Sequence, residues 1–109
     1  MAFDEVLAER IRQRLAGRKN FAEKKMFGGI VFFLNGNMLV GVWKDSLIVR
    51  LGQDQQSEAL REPHVREFDI TGRPMRNWVQ VEPNGIENDD QLKAWIQRAT
   101  DFVEALPRK

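Results

Sequence analysis

His64, the Gly28-Gly29 pair and the arginines Arg10, Arg14 and Arg18 are the residues whose types and spacing could support chemistry. A histidine base needs a nucleophile beside it, and the chain offers only Ser46 and Ser57 and no cysteine. Metal binding by His64 needs further ligands at workable spacing, and the sequence supplies none. Glu82, Glu87, Asp89 and Asp90 form an acidic group, but the last two sit where carboxylates complement a helix start. Gly28-Gly29 could form a nest of backbone N–H groups for an anion. No P-loop lysine and serine follow it, so a strand break or a close backbone approach accounts for the pair better. The three arginines are four apart and align on one helix face, where they could meet phosphates. Glu5 and Glu9 dilute them, and a solvated helix face explains them as well. These residues predict no catalytic group, no metal site, no cofactor and no enzymatic activity.

Recognition is the better-supported chemistry. Tryptophan and arginine are over-represented in binding hot spots, and Arg73, Met75 and Trp78 cluster in one exposed-looking stretch. A turn arginine paired with a nearby acid and a tryptophan covering sheet edge explain the same residues without a partner. Met26, Phe27, Gly28, Gly29 and Trp43 complete the candidate interaction surface, although Met26 and Phe27 also suit a core.

The elements that must position these residues follow from periodicity. Phe3, Leu7, Ile11 and Leu15 recur every four residues, with Val6 widening the stripe, which predicts a helix capped by Asp4 and stopped at Gly17. Residues 23–27 predict a strand that Gly28-Gly29 interrupts. The stretch from Ile30 to Leu51 then reads as a three-strand meander, with Asn35-Gly36 as a type I′ turn and Lys44-Asp45 as the second turn. Pairing across the turns sets Phe33 opposite Met38, Val31 opposite Val40, Val42 opposite Leu47 and Val40 opposite Val49. One face then holds Val31, Phe33, Met38, Val40, Val42, Leu47, Val49 and Leu51, the predicted core side. The other holds Ile30, Phe32, Leu34, Leu39, Gly41, Trp43, Ile48 and Arg50, which is too apolar to be simply wet. Residues 54–61 suit a short helix ending before Pro63, and residues 67–70 a strand ahead of a Thr71-Gly72-Arg73-Pro74 turn. Residues 77–82 alternate, with Val79 and Val81 one way and Trp78, Gln80 and Glu82 the other. Asn88 and Gln91 make a capping box for a last helix whose stripe runs Leu92, Trp95, Ile96, Ala99, Phe102, Val103 and Leu106.

The predicted class is α+β, with helices at both chain ends and an antiparallel-rich sheet of about five strands, in the order α-β-β-β-α-β-β-α. At 109 residues the chain is expected to be one domain, residues 1–109, with a single core. Seventeen basic against 16 acidic residues give a net charge of +1, too balanced for nucleic-acid or membrane binding by bulk electrostatics. The acidic start lacks a signal peptide's basic and apolar regions, and no apolar run nears the roughly 20 residues that span a bilayer. A cytoplasmic protein is expected.

Several motifs together resemble a known family. Lys25-Met26-Phe27-Gly28-Gly29, the Asn35-Gly36 hairpin, Asp45-Ser46-Leu47-Ile48-Val49-Arg50-Leu51, and Thr71-Gly72-Arg73-Pro74-Met75 ahead of Trp78-Val79-Gln80-Val81 resemble the N-terminal domain of the TfoX/Sxy family in order and spacing. The resemblance implies a fold akin to type III secretion chaperones and a stand-alone domain without the family's C-terminal helical domain. It also implies a link to competence regulation and transcriptional regulation through a protein partner. The expected function is protein–protein interaction. Nucleic acid bound by the first-helix arginines, a second copy of the chain and a small ligand bound without catalysis stand as alternatives.

Overall fold

The computed structural model describes residues 3–26, 28–69 and 74–108. The elements run α1 (Glu5–Leu15), β1 (Phe21–Met26), β2 (Gly29–Leu34), β3 (Asn37–Trp43), β4 (Ser46–Arg50), α2 (Gln53–Ala59), β5 (Val65–Asp69), β6 (Pro74–Val81) and α3 (Asp89–Glu104). The strands form one antiparallel sheet in the order β1-β2-β3-β4-β6-β5. The strand before Gly28 begins two residues earlier than the sequence predicts and pairs along its whole length with β2, so the sheet has six strands instead of about five.

Both long helices form for the reasons their sequences give. The Asp4 carboxylate accepts from the backbone N–H groups of Val6 and Leu7, satisfying two of the donors a helix start leaves free. Leu7, Ala8, Ile11 and Leu15 then face the sheet, whereas Val6 is 71% exposed and does not widen the stripe. In α3 the reciprocal capping box between Asn88 and Gln91 is complete. Leu92, Trp95, Ile96, Ala99 and Val103 are buried in the same core as the α1 residues. The two helices therefore cover one face of the sheet.

The strands present Ile30, Phe32, Leu34, Leu39, Val40, Val42, Leu47, Val49, Val79 and Val81 to that core. For Val40 and Val42 of β3 and for β4 this is the predicted side, in the predicted register of Val40 opposite Val49 and Val42 opposite Leu47, whereas Leu39 and Met38 have exchanged the faces expected of them. For β2 it is the reverse. Phe33 does pair with Met38, but a β-bulge follows, and Phe32 pairs with Val40 and Val31 with Gly41. The extra residue, Leu39, is fully buried beside Val40 under the helices. A one-residue insertion inverts all alternation beyond it, so Ile30, Phe32 and Leu34 face the helices while Val31 and Phe33 face away. Asn35 and Gly36 at the hairpin tip have φ of 54° and 83°, as a type I′ turn requires.

Trp95 is 6% exposed, with the Arg98 guanidinium 4.3 Å from its ring centroid, whereas Phe102 is only half-buried. Trp95→Ala is expected to cost about 3–5 kcal/mol through lost burial and the cavity left behind. Phe102→Ala is expected to cost clearly less. Denaturant melts of both variants check the order, and equal costs would show that α3 packs through a different stripe.

Candidate functional site

The sheet face turned away from the helices is also apolar, and most of the predicted interaction surface lies on it. Its buried centre is Ile48, Phe68 and Trp78, with Met38, Trp43 and Met75 half-buried around them. No side chain from a helix belongs to this cluster among the described residues.

Two features bring these residues together. In a flat sheet β3 and β5, separated by β4 and β6, would lie about 14 Å apart. Yet the Trp43 ring on β3 meets Phe68 on β5 edge-on, with centroids 5.7 Å apart, and Phe68 meets Trp78 at 6.4 Å. The β5–β6 hairpin therefore curls over the face. The bend coincides with a wide bulge in β6: Glu67 pairs with Val79 but Asp69 pairs with Pro74, leaving additional residues on the β6 side. Asn77 within it has φ of 69°, a left-handed conformation that asparagine tolerates better than most residues. Gln56 of α2 holds this backbone. Its Nε2 donates to the carbonyls of Trp78 at 3.0 Å and Met75 at 3.3 Å, and its Oε1 accepts from Asn77 N–H at 3.1 Å.

The second feature is close strand approach. Gly41 faces this side between Val31 and Ile48, and a Cβ there would come within 2.7 Å of the Ile30 carbonyl oxygen. A Cβ on Gly29 would collide with the Val42 carbonyl and approach the Trp43 backbone. Gly28 lies in the β1–β2 hairpin turn with φ of 76°. The glycine pair thus serves a tight turn and a close approach of strands beside Trp43.

Of the predicted surface residues, Gly29 and Trp43 adjoin, Met26 pairs with Gly29, and Trp43 connects through Phe68 to Trp78 and Met75. Phe27 and Arg73 lie outside the described residues, as do Thr71 and Gly72. Trp78 points away from the Val79 and Val81 core as predicted, but it is only 7% exposed, so the expectation of an exposed anchor is corrected. The curl of β5 over β6 buries it. Likewise Phe32 and Leu39, expected on this face, are under the helices because of the Leu39 bulge, and Ile48 is covered by Phe68 and Trp78. Among the apolar residues expected on that face, Trp43 alone stays half-exposed.

Sequence reasoning missed Phe68, the residue on which both tryptophans meet. It stands as a lone aromatic among charges in Val65-Arg66-Glu67-Phe68-Asp69, and only its contrast with those neighbours marks it. Met38 and Phe33 were assigned to the core for the register reason above.

The first-helix arginines do not form a free basic stripe. Arg10 and Arg14 share Asp89 at the start of α3, at 3.4 and 3.7 Å. Arg12 pairs with Glu23 at 2.8 Å and Glu9 at 3.1 Å, and these two carboxylates, Glu23 foremost, raise its pKa above the usual guanidinium value. His64 is exposed, with φ of 66°, in the turn before β5, where its carbonyl accepts from Glu82 N–H. Among the described residues, no group of three histidine, cysteine or acidic side chains could hold a metal ion. No helix among them is long and apolar enough to cross a membrane.

An antiparallel six-stranded sheet with two helices on one face and an aromatic cluster on the other defines a small α+β domain. Residues 13–103 match the TfoX N-terminal domain, and the chain belongs to that family. No curated protein and no solved structure matches it.

Gln56→Ala would leave Asn77 N–H and the Trp78 carbonyl without their partner. The expected cost is about 1–3 kcal/mol, the range for polar groups stripped of a buried hydrogen bond. Faster amide exchange should appear at Asn77 and at Leu51, whose N–H donates to the Asn77 carbonyl at 2.7 Å. Wild-type stability and exchange would show that the bulge holds without α2.

Proposed function

We propose that this domain is a non-catalytic protein-docking module of regulatory character, acting in the cytoplasm, and that it docks through the sheet face opposite its helices. The observation that carries this is Trp43. Its indole is half-exposed, met edge-on by Phe68, with the Lys44 ammonium 4.6 Å from its centroid. Met38 and Met75 lie half-exposed on the same cluster. A rigid aromatic flanked by adaptable methionines is the composition of binding hot spots, and a core needs no such edge open to water. Membership of the TfoX N-terminal family supports the regulatory part of this reading. Paired arginines on α1 argue against the nucleic-acid alternative, because their charge is already met by Asp89, Glu9 and Glu23.

The test uses immobilised full-length chain and native cell extract. Proteins retained by wild type are expected to be lost with Trp43→Ala and with Met75→Ala, and kept with Lys93→Ala on the exposed side of α3. Thermal melts must show all three variants folded. Trp78 is not used, because its burial makes it structural. Retention unaffected by either face variant would refute the proposed docking face.

A further inference from the structure

The charges around the docking face constrain what can cover it. We propose that its partner is an acidic segment carrying large apolar side chains, with Lys24 and Lys44 facing the partner's carboxylates. This rests on the docking reading above.

Two cations border the apolar cluster, one on β1 and one in the β3–β4 turn. Lys44 lies over the Trp43 ring. Lys24 on β1 pairs with Val31, whose side chain approaches Gly41 on this same face. Arg50 shares the parity of Ile48 but does not join them: its guanidinium lies 5.9 Å from the Phe102 ring of α3 and donates to the Met38 carbonyl at 3.2 Å. Among the described residues neither lysine has a carboxylate at ion-pair distance. Arg66, paired with Gln80 at the far edge, does have one, the Glu82 carboxylate at 3.8 Å. The helices opposite hold eight acidic and five basic side chains. The near-neutral total thus conceals an acidic excess on the helices, opposite two lysines that border the apolar face without a carboxylate at ion-pair distance.

That separation selects among occupants. A second copy laid face to face by a two-fold axis would bring the lysine rim of each copy toward that of the other, a like-charge cost that an acidic segment avoids. A phosphate backbone would meet the cations but leave Met38 and Met75 uncovered. An acidic segment with apolar anchors satisfies both at once: anchors against Trp43, Met38 and Met75, and carboxylates toward the rim.

The experiment is a titration of the full chain, labelled at amides, indoles and methionine methyls, followed by NMR. The probes are two synthetic peptides with the same leucine and phenylalanine anchors, one flanked by glutamates and one by lysines, and a duplex DNA oligonucleotide. The glutamate peptide is expected to shift the Trp43 indole and the Met38 and Met75 methyls, at least about tenfold more tightly than the lysine peptide and less tightly as salt rises. Lys44→Glu, with an unchanged melt, is expected to reduce that affinity about fivefold or more. Equal or tighter binding of the lysine peptide at these probes overturns the acidic assignment and leaves the docking face standing. Tighter binding of DNA there, or concentration-dependent shifts of the chain alone there, overturns it in favour of those occupants. Absence of any shift at Trp43, Met38 and Met75 with every probe overturns the partner and the docking face together.

Discussion

Leu39 sits as an extra residue between the Phe33–Met38 and Phe32–Val40 pairs, and that single insertion sets how β1 and β2 face relative to the rest of the sheet. Both sides of β2 are apolar, so its own alternation does not choose between Ile30, Phe32 and Leu34 inside and Val31 and Phe33 inside. Contacts made elsewhere make the choice. With the bulge, Glu23 lies on the helix side and meets Arg12, and Asn37 is buried where its Nδ2 reaches the Pro107 carbonyl at 2.9 Å. Without it, Glu23 would lose Arg12, and Phe32 would stand in water on the open side. The bulge costs one unpaired residue in the ladder and places three large side chains of β2 in the core.

The open side depends on a second irregularity, in β6. A regular β5–β6 pair would extend the sheet and leave Phe68 far from Trp43. The bulge around Asn77, held by three hydrogen bonds from Gln56, turns the hairpin so that Phe68 joins Trp43 and Trp78. α2 thus acts on the candidate site through the backbone of Met75, Asn77 and Trp78. The result is a face closed enough to bury Ile48 and Trp78, yet open at Trp43, Met38 and Met75.

Both irregularities lie where local sequence carries least information. Helix caps at Asp4 and Asn88, the Asn35-Gly36 turn and the β3–β4 register were legible because each depends on residues within a few positions of one another. The Leu39 bulge was not, since Asn37-Met38-Leu39-Val40 contains neither glycine nor a break in polarity to mark an insertion. Most of the candidate surface was named from residue type alone, and Trp43 and Met75 do lie on one cluster. What could not be read was that Phe68 would join them and that Trp78 would be buried, because both follow from the curl of a hairpin over a distant strand. For a member of the TfoX N-terminal domain family, the interaction proposed here belongs to that curled face and not to the arginines of the first helix.

A double-mutant cycle on Trp43 and Phe68 tests that curl most directly. With Trp43→Leu and Phe68→Leu, singly and together, denaturant unfolding measures the energy the two rings share. Edge-on rings with centroids 5.7 Å apart predict a coupling of about 0.5–1.5 kcal/mol beyond the sum of the single losses. Additive losses, within about 0.3 kcal/mol, would mean that the rings do not meet and that the face is flat, contradicting the account of the docking surface.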